Sequence, residues 1–165
     1  MATNKDSKRI TRTLKAQKNG PKLKAVAAAL AHIEATHNRL FALQKFGESA
    51  EQTIVVLGMY GTYYAVAALC QQVRDDFANA IDAITPHPAS KPLGEAFDAL
   101  AALEYFMDTA DASEEGSKDF PRSNFCRMVG DVLRCYVAQA CENMERAEIA
   151  LGGKPTWGYL ANKRT

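Results

Sequence analysis

Apolar residues recur at alternating intervals of three and four residues along much of this chain, and this spacing constrains the fold more than any other feature. A stripe with that period covers one side of an α-helix. Alanine is abundant, whereas runs of valine, isoleucine and threonine, which favour strands, are few. The pattern therefore predicts an all-α protein. Its clearest example is the heptad seam Leu23, Val26, Leu30, Ile33, His37 and Leu40.

Glycine, proline and capping residues divide the chain into four predicted helices. Ser49, followed by Gln52, predicts a capping box at the start of the second helix, and Ser90 predicts the cap of the third. The fourth helix should begin at Ser123 or Asn124. The breaks between and after the helices lie at Gly20-Pro21, Gly47, Thr85-Pro86, the polar loop 111–122 and Gly152-Gly153.

With 165 residues and 47% hydrophobic content, the chain is long enough to bury one core of its own. We expect a four-helix bundle-like domain over residues 21–153. It follows a basic N-terminal arm, residues 1–20, which could form a short extra helix. A C-terminal tail, residues 154–165, follows the bundle.

The two ends of the chain differ in charge from its middle. Residues 1–24 carry eight lysines and arginines against the single anion Asp6, whereas residues 25–153 carry nine cations and eighteen anions. The last twelve residues add three cations. The net charge of +1 therefore conceals an acidic body with two basic ends. Such asymmetry is typical of an arm that binds a polyanion or an acidic neighbour.

The basic arm is the best functional candidate in the sequence. Its arginines can make bidentate contacts with phosphates, and its lysines act as point charges along a phosphate backbone. Residues 1–40 contain no aromatic side chain, so we do not expect the arm to stack on bases. A solubilising tail is the alternative. The candidate nucleic-acid-binding residues are Lys5, Lys8, Arg9, Arg12, Lys15, Lys18, Lys22 and Lys24.

The second predicted helix contains an uncharged run from Thr53 to Val73 that is long enough to span a bilayer. Two glycines, three tyrosines and two glutamines interrupt its apolar character, and the helical pattern continues through Arg74. We therefore interpret it as a central helix buried on most faces, and we expect no membrane span.

Small residues form a stripe along the same helix at Gly58, Gly61 and Ala65. Each glycine costs roughly 1 kcal/mol of helix stability relative to alanine, so either another helix packs closely there or the helix bends. Together with the seam of the first helix, the stripe predicts a helix-mediated homo-oligomer. Trp157 and Tyr159, aromatic residues near a polar chain end, complete the candidate interface set.

One metal-site motif is present. Glu34 and His37 have the Glu-x-x-His spacing of di-iron bundles, which places both on one helix face. A complete site needs a second such pair, and the fourth helix offers Glu142 and Glu145 without a histidine. We therefore interpret His37 as a hydrogen-bonded seam residue and expect no metal or other cofactor.

The four cysteines form no CxxC pair, and we expect them to be buried free thiols in the cytoplasm or another reducing compartment, or in a virion. They are Cys70, Cys126, Cys135 and Cys141.

Three functional hypotheses follow. No nucleophile elbow, phosphate loop or dinucleotide fingerprint is present, so the first is a non-enzymatic assembly or binding protein whose basic arm engages a polyanion, most simply nucleic acid. A small viral or mobile-element structural protein would fit this description. The second is a protein–protein adaptor or inhibitor whose arm docks on an acidic protein surface. The third is a metal-dependent helical-bundle enzyme that uses Glu34 and His37.

Overall fold

The computed structural model describes the backbone of residues 4–114 and 122–156, and the side chains of residues 22–109 and 125–156. Within these ranges the protein consists of four helices and contains no strand. The predicted all-α fold is therefore confirmed. The helices are α1 (Asn4–Glu48), α2 (Ala50–Ile84), α3 (Ser90–Glu114) and α4 (Arg122–Ala150).

The four helices form an up-and-down bundle. Each helix packs on the next one in sequence, and α4 closes the bundle by packing on α1. Short connections favour this arrangement. Helical hydrogen bonds continue across Ser49, from its N–H to the Lys45 carbonyl oxygen and from the N–H of Thr53 to its own carbonyl oxygen, so the chain turns not there but at the kink at Gly58. Residues 85–89 separate α2 from α3. Aliphatic and aromatic side chains from all four helices fill the core, among them the fully buried Ile33, Phe77, Leu103 and Leu133.

The first helix does not begin at the predicted break. Its backbone remains helical through Gly20 and Pro21, and it starts at Asn4, so the basic arm and the first bundle helix belong to one element. Gly47 also lies inside α1 rather than beyond it. A Cβ atom at Gly47 would lie 2.8 Å from Cγ of Arg134, and one at Gly130 would lie 2.9 Å from the Gly47 carbonyl oxygen. The glycines are therefore needed for close packing of α1 on α4.

The end of α4 follows the sequence prediction. The N–H of Gly153 donates to the Glu148 carbonyl oxygen at 2.8 Å, and the N–H of Gly152 donates to that of Ile149 at 3.0 Å. Gly152 has a φ of +80°, a left-handed conformation that favours glycine. This is the Schellman arrangement, and it satisfies carbonyl groups that the helix end would otherwise leave free.

Other helix ends depart from the predictions. The capping box at Ser49 does not form, because its hydroxyl donates to the Lys45 carbonyl oxygen at 2.8 Å instead of accepting from a backbone N–H of α2. The third helix continues past Asp111 to Glu114, and the fourth begins at Arg122. The predicted loop is therefore shorter, and residues 115–121 lie outside the described ranges.

The second helix consists of two helical segments joined by a kink at Gly58, where φ is 73° and ψ is 169°. Of the two alternatives that the glycines allowed, the bend is the one that occurs here. Thr62, itself buried, donates its hydroxyl to the Gly58 carbonyl oxygen at 2.8 Å. The expectation that this helix is buried on most faces is wrong, since only 28% of its most apolar 18-residue window is buried. Its outer side has no neighbouring helix among the described residues.

Candidate functional site

An exposed apolar surface lies on both sides of the bend in α2. We call it the α2 apolar face. Val56 is its most exposed member, with 79% of its surface accessible, and the other four expose at least half of theirs. Several exposed apolar side chains of this size within ten residues are typical of an interaction surface. The face consists of Val55, Val56, Leu57, Tyr60 and Tyr64.

The bend and the bundle together position this face. Ile54, Met59 and Thr62 point into the core from the same turns and are at most 3% exposed. With one side of the helix committed to the core, the remaining apolar side chains on this segment face outward. The face is therefore a consequence of an all-round apolar sequence packed on one side only.

The tyrosines of this segment form an ordered cluster. The Tyr60 hydroxyl donates to the Tyr64 hydroxyl at 2.8 Å, and the two ring centroids are 4.5 Å apart in an edge-to-face arrangement. Tyr63 extends the cluster, with its ring centroid 5.3 Å from that of Tyr64. Edge-to-face packing restricts the rings before any partner binds, so less side-chain entropy is lost on binding.

No charged side chain occurs on α2 between Glu51 and Arg74. By length and composition, α2 is the single helix among the described residues that could cross a membrane. Its inner face is nevertheless built into the bundle, where Ile54, Val66 and Val73 are fully buried.

The predicted interface residues of α2 border this face. Gly58, Gly61 and Ala65 are half-buried. A Cβ atom at Gly58 would have no neighbour within 4 Å, and one at Gly61 would meet only Cβ of Leu57 at 3.1 Å. No other helix approaches these glycines within the described ranges, so a close contact there would have to come from another molecule. The remaining two predicted interface residues, Trp157 and Tyr159, lie outside the described residues.

The candidate nucleic-acid-binding residues divide into two groups. Lys22 and Lys24 are exposed on α1, at the end of the bundle where α2 turns into α3. The other six, from Lys5 to Lys18, belong to the helical backbone of α1, but their side chains lie outside the described residues.

The Glu34 and His37 pair does not come together as a metal site. Glu34 is exposed, whereas Nε2 of His37 lies 3.0 Å from Oε1 of Glu148 on α4. No group of three or more potential ligands occurs among the described histidines, cysteines and acidic residues. The interpretation of His37 as a hydrogen-bonded seam residue is borne out by this contact. Sequence reasoning missed its partner, because nothing in the α4 pattern marks Glu148 as buried.

Interhelical ion pairs were also missed. Arg39 on α1 donates to Asp76 on α2 at 2.6 Å, and Arg74 on α2 pairs with Glu104 on α3. The Arg74 guanidinium also lies 4.8 Å from the ring centroid of Phe97. These pairs join neighbouring helices, and one-dimensional periodicity carries no signal for which charges will meet across a groove.

The cysteines agree with the prediction at three of four positions. None of the four forms a disulfide, and Cys70, Cys126 and Cys141 are buried, whereas Cys135 is exposed on α4. Burial raises the pKa of Cys70 to about 12, and the nearby Glu104 carboxylate adds to the rise. Cys135 departs from the prediction because it lies on the outer side of α4.

These features define a class: an all-α four-helix bundle with an uncharged apolar face on its second helix and a basic extension on its first. Compared with known proteins, the chain matches no family model, no curated protein and no solved structure.

Proposed function

We propose that this chain is a non-enzymatic assembly protein whose copies associate through the α2 apolar face and whose basic arm engages a polyanion, most simply nucleic acid. The observation that carries the proposal is the exposure of the α2 apolar face. We propose a bundle helix rather than a membrane span for α2, which the complete burial of its inner face supports.

A second copy of this chain is the occupant that we propose for the face. The segment is uncharged, so two copies related by a two-fold axis would bring no like charges together there. Its side chains expose on the order of 500 Å², near the upper end of what a monomer usually shows, and a stable interface buries about 800 Å² per partner. The half-buried small residues Gly58, Gly61 and Ala65 at its border can supply further area.

Charge segregation supports the second part of the proposal. Residues 25–153 carry nine more anions than cations, so the bundle as a whole repels phosphates. The cations of the arm are separated from that body in sequence, and six of them lie within residues 1–20. A polyanion would therefore be held at the arm.

Assembly is tested by sedimentation velocity of the full chain in about 1 M salt, where the screening length falls to about 3 Å and arm–body attraction is suppressed. We expect a dimer or larger species for the unaltered chain and a monomer for Val56→Lys. The matched control is Gln72→Lys, which places the same charge at an exposed position of α2 outside the face. Monomeric unaltered protein at high concentration would contradict the proposal.

Polyanion binding is tested by replacing Lys5, Lys8, Arg9 and Arg12 with glutamine in the full chain. Affinity for nucleic acid should fall steeply, and the slope of log affinity against log salt should flatten by up to about 0.9 for each phosphate that the arm no longer neutralises. Replacing Lys91, an exposed cation on α3, is the control. If the unaltered chain does not bind nucleic acid but forms larger species at low salt, the arm docks on an acidic protein surface instead.

A further inference from the structure

A pocket of about 460 Å³ opens at the end of the bundle from which the basic arm extends. It lies between α1 and the turn that joins α2 to α3. Its volume falls within the range of about 300–1,000 Å³ that is typical of small-molecule sites. The residues that matter for its chemistry are Lys22, Ala25, Val26, Ile84, Pro86 and His87.

The walls of the pocket are mostly apolar, and its polar side chains are Lys22, Thr85 and His87. The Thr85 hydroxyl donates to the Ile81 carbonyl oxygen at 2.8 Å, so the side chains that can donate to a ligand are Lys22 and His87. Nδ1 of His87 accepts the backbone N–H of Ala89 at 3.1 Å, so the neutral ring carries its proton on Nε2. The backbone of His87 is fixed as well, because its carbonyl oxygen accepts from the N–H and the hydroxyl of Ser90. These contacts fix the position of a ring that lines the pocket and leave Nε2 as its donor.

Lys22 adds a second donor, and its ammonium group makes no ion pair with the described residues. No acidic side chain lines the pocket within those residues. A ligand that fits this site has a flat, largely apolar body, hydrogen-bond acceptors on its edge and a negative charge beside it. A nucleotide unit has all three properties.

We propose that this pocket takes one unstacked base of a single-stranded polynucleotide whose phosphates run along the basic arm. The inference rests on the proposed function and adds the form of the nucleic acid. Val26, Ile84 and Pro86 cover the ring, Nε2 of His87 donates to a base carbonyl group, and Lys22 contacts the adjoining phosphate. A base in a duplex is paired and stacked, and extracting it costs free energy, so single strands are preferred.

The decisive experiment measures binding of the full chain to three fluorescent probes with equal numbers of phosphates: a thymidine single strand, a duplex, and a strand of abasic residues. We expect the single strand to bind at least about fivefold more tightly than either other probe, since holding one base contributes a factor of about 5 to 160.

Ala25→Leu fills the pocket, and Ala28→Leu is its matched control, because it makes the same substitution at an exposed position one turn along α1. The filled pocket should lose the preference for the thymidine strand and leave duplex affinity and the salt slope unchanged. The control should bind as the unaltered chain does. His87→Asn retains an acceptor for the Ala89 N–H and removes the ring, so it provides a second test should Ala25→Leu fold poorly.

The outcomes separate the two proposals. Equal binding of all three probes, unaffected by Ala25→Leu, would overturn the pocket proposal and leave polyanion binding intact. Absence of binding to every probe at low salt would overturn both. A preference for the thymidine strand that survives both pocket variants would place base recognition elsewhere and overturn the assignment of this pocket.

Discussion

The N-terminal half of α2 exposes apolar side chains, whereas the C-terminal half of α4 buries acidic ones. In α2, Val56 and Tyr60 are 79% and 62% exposed, whereas in α4, Glu145 and Glu148 are at most 4% exposed. The difference arises from what surrounds each segment. The α4 half lies against α1, from which Nε2 of His37 approaches Oε1 of Glu148 at 3.0 Å. Thr156, which follows the end of α4, donates its hydroxyl to the same oxygen at 3.4 Å.

The comparison shows that helix neighbours, rather than residue hydrophobicity, decide which groups this bundle buries. The Glu148 carboxyl group can be buried in α4 because His37 and Thr156 meet its Oε1 there, whereas its buried Oε2 has no hydrogen-bond partner among the described residues. Apolar groups remain exposed in α2 because no described helix covers its outer side. For this reason the buried polar groups of α4 are interpreted as structural, whereas the uncovered groups of α2 are the ones that we propose for assembly.

The largest difference in unfolding free energy should lie between substitutions on the inner and the outer side of α2. Ile54→Ala removes a fully buried side chain and should lower the free energy of unfolding by about 2–5 kcal/mol. Val56→Ala, two residues along, should change it by less than about 0.5 kcal/mol in the monomer. Urea unfolding at high dilution measures both. Similar losses for the two variants would mean that the outer side of α2 is covered within the chain.

The bend of α2 gives the next prediction. Gly58 has a backbone conformation that only glycine adopts readily, so Gly58→Ala should cost about 1–3 kcal/mol. The control is Gly94→Ala in α3, where a Cβ atom meets nothing within 4 Å and φ is not positive, so stability should rise slightly. A stabilised Gly58→Ala variant would show that α2 is straight in solution.

Much of the fold was predictable because apolar periodicity marks which side of a helix faces a core. Ile33 and Leu40 were expected in the apolar seam of the first helix, and both are fully buried. Periodicity cannot tell whether a neighbour is present, however. Leu23, the first residue of the predicted seam, is 68% exposed.

The candidate site was less predictable for the same reason. The uncharged run in α2 was visible, but its exposure depends on the absence of a fifth packing element among the described residues, which no local pattern encodes. The glycine of the α1–α4 contact, Gly47, looked like a helix stop because a glycine near a helix end usually is one. Only the position of Gly130 opposite it reveals the packing role.

The contact between His37 on α1 and Glu148 on α4 should contribute less to the free energy of unfolding than a core side chain does, but more than an exposed ion pair does. His37→Ala leaves Oε1 of the buried Glu148 without its nearest donor and should cost about 1–3 kcal/mol. His32→Ala is the control on the same helix, since that ring is 39% exposed and only 3.5 Å from Asp76. A double-mutant cycle with Glu148→Gln measures the coupling. If both substitutions lowered the free energy of unfolding equally, the buried contact of His37 would contribute no more than the exposed contact of His32.

The smallest effect concerns cysteine chemistry and leaves stability unchanged. Within α4, Cys126 and Cys141 are at most 1% exposed, whereas Cys135 lies on the outer side. A thiol reagent should therefore modify one thiol per native chain, and Cys135→Ser should abolish that reaction. Because burial raises the pKa of Cys70 to about 12, that thiol stays protonated as the pH rises to about 9, and no second reactive thiol should appear. Two fast-reacting thiols per chain would mean that a helix face described as buried opens to solvent. The contrast between covered and uncovered surfaces would then not hold for the cysteines.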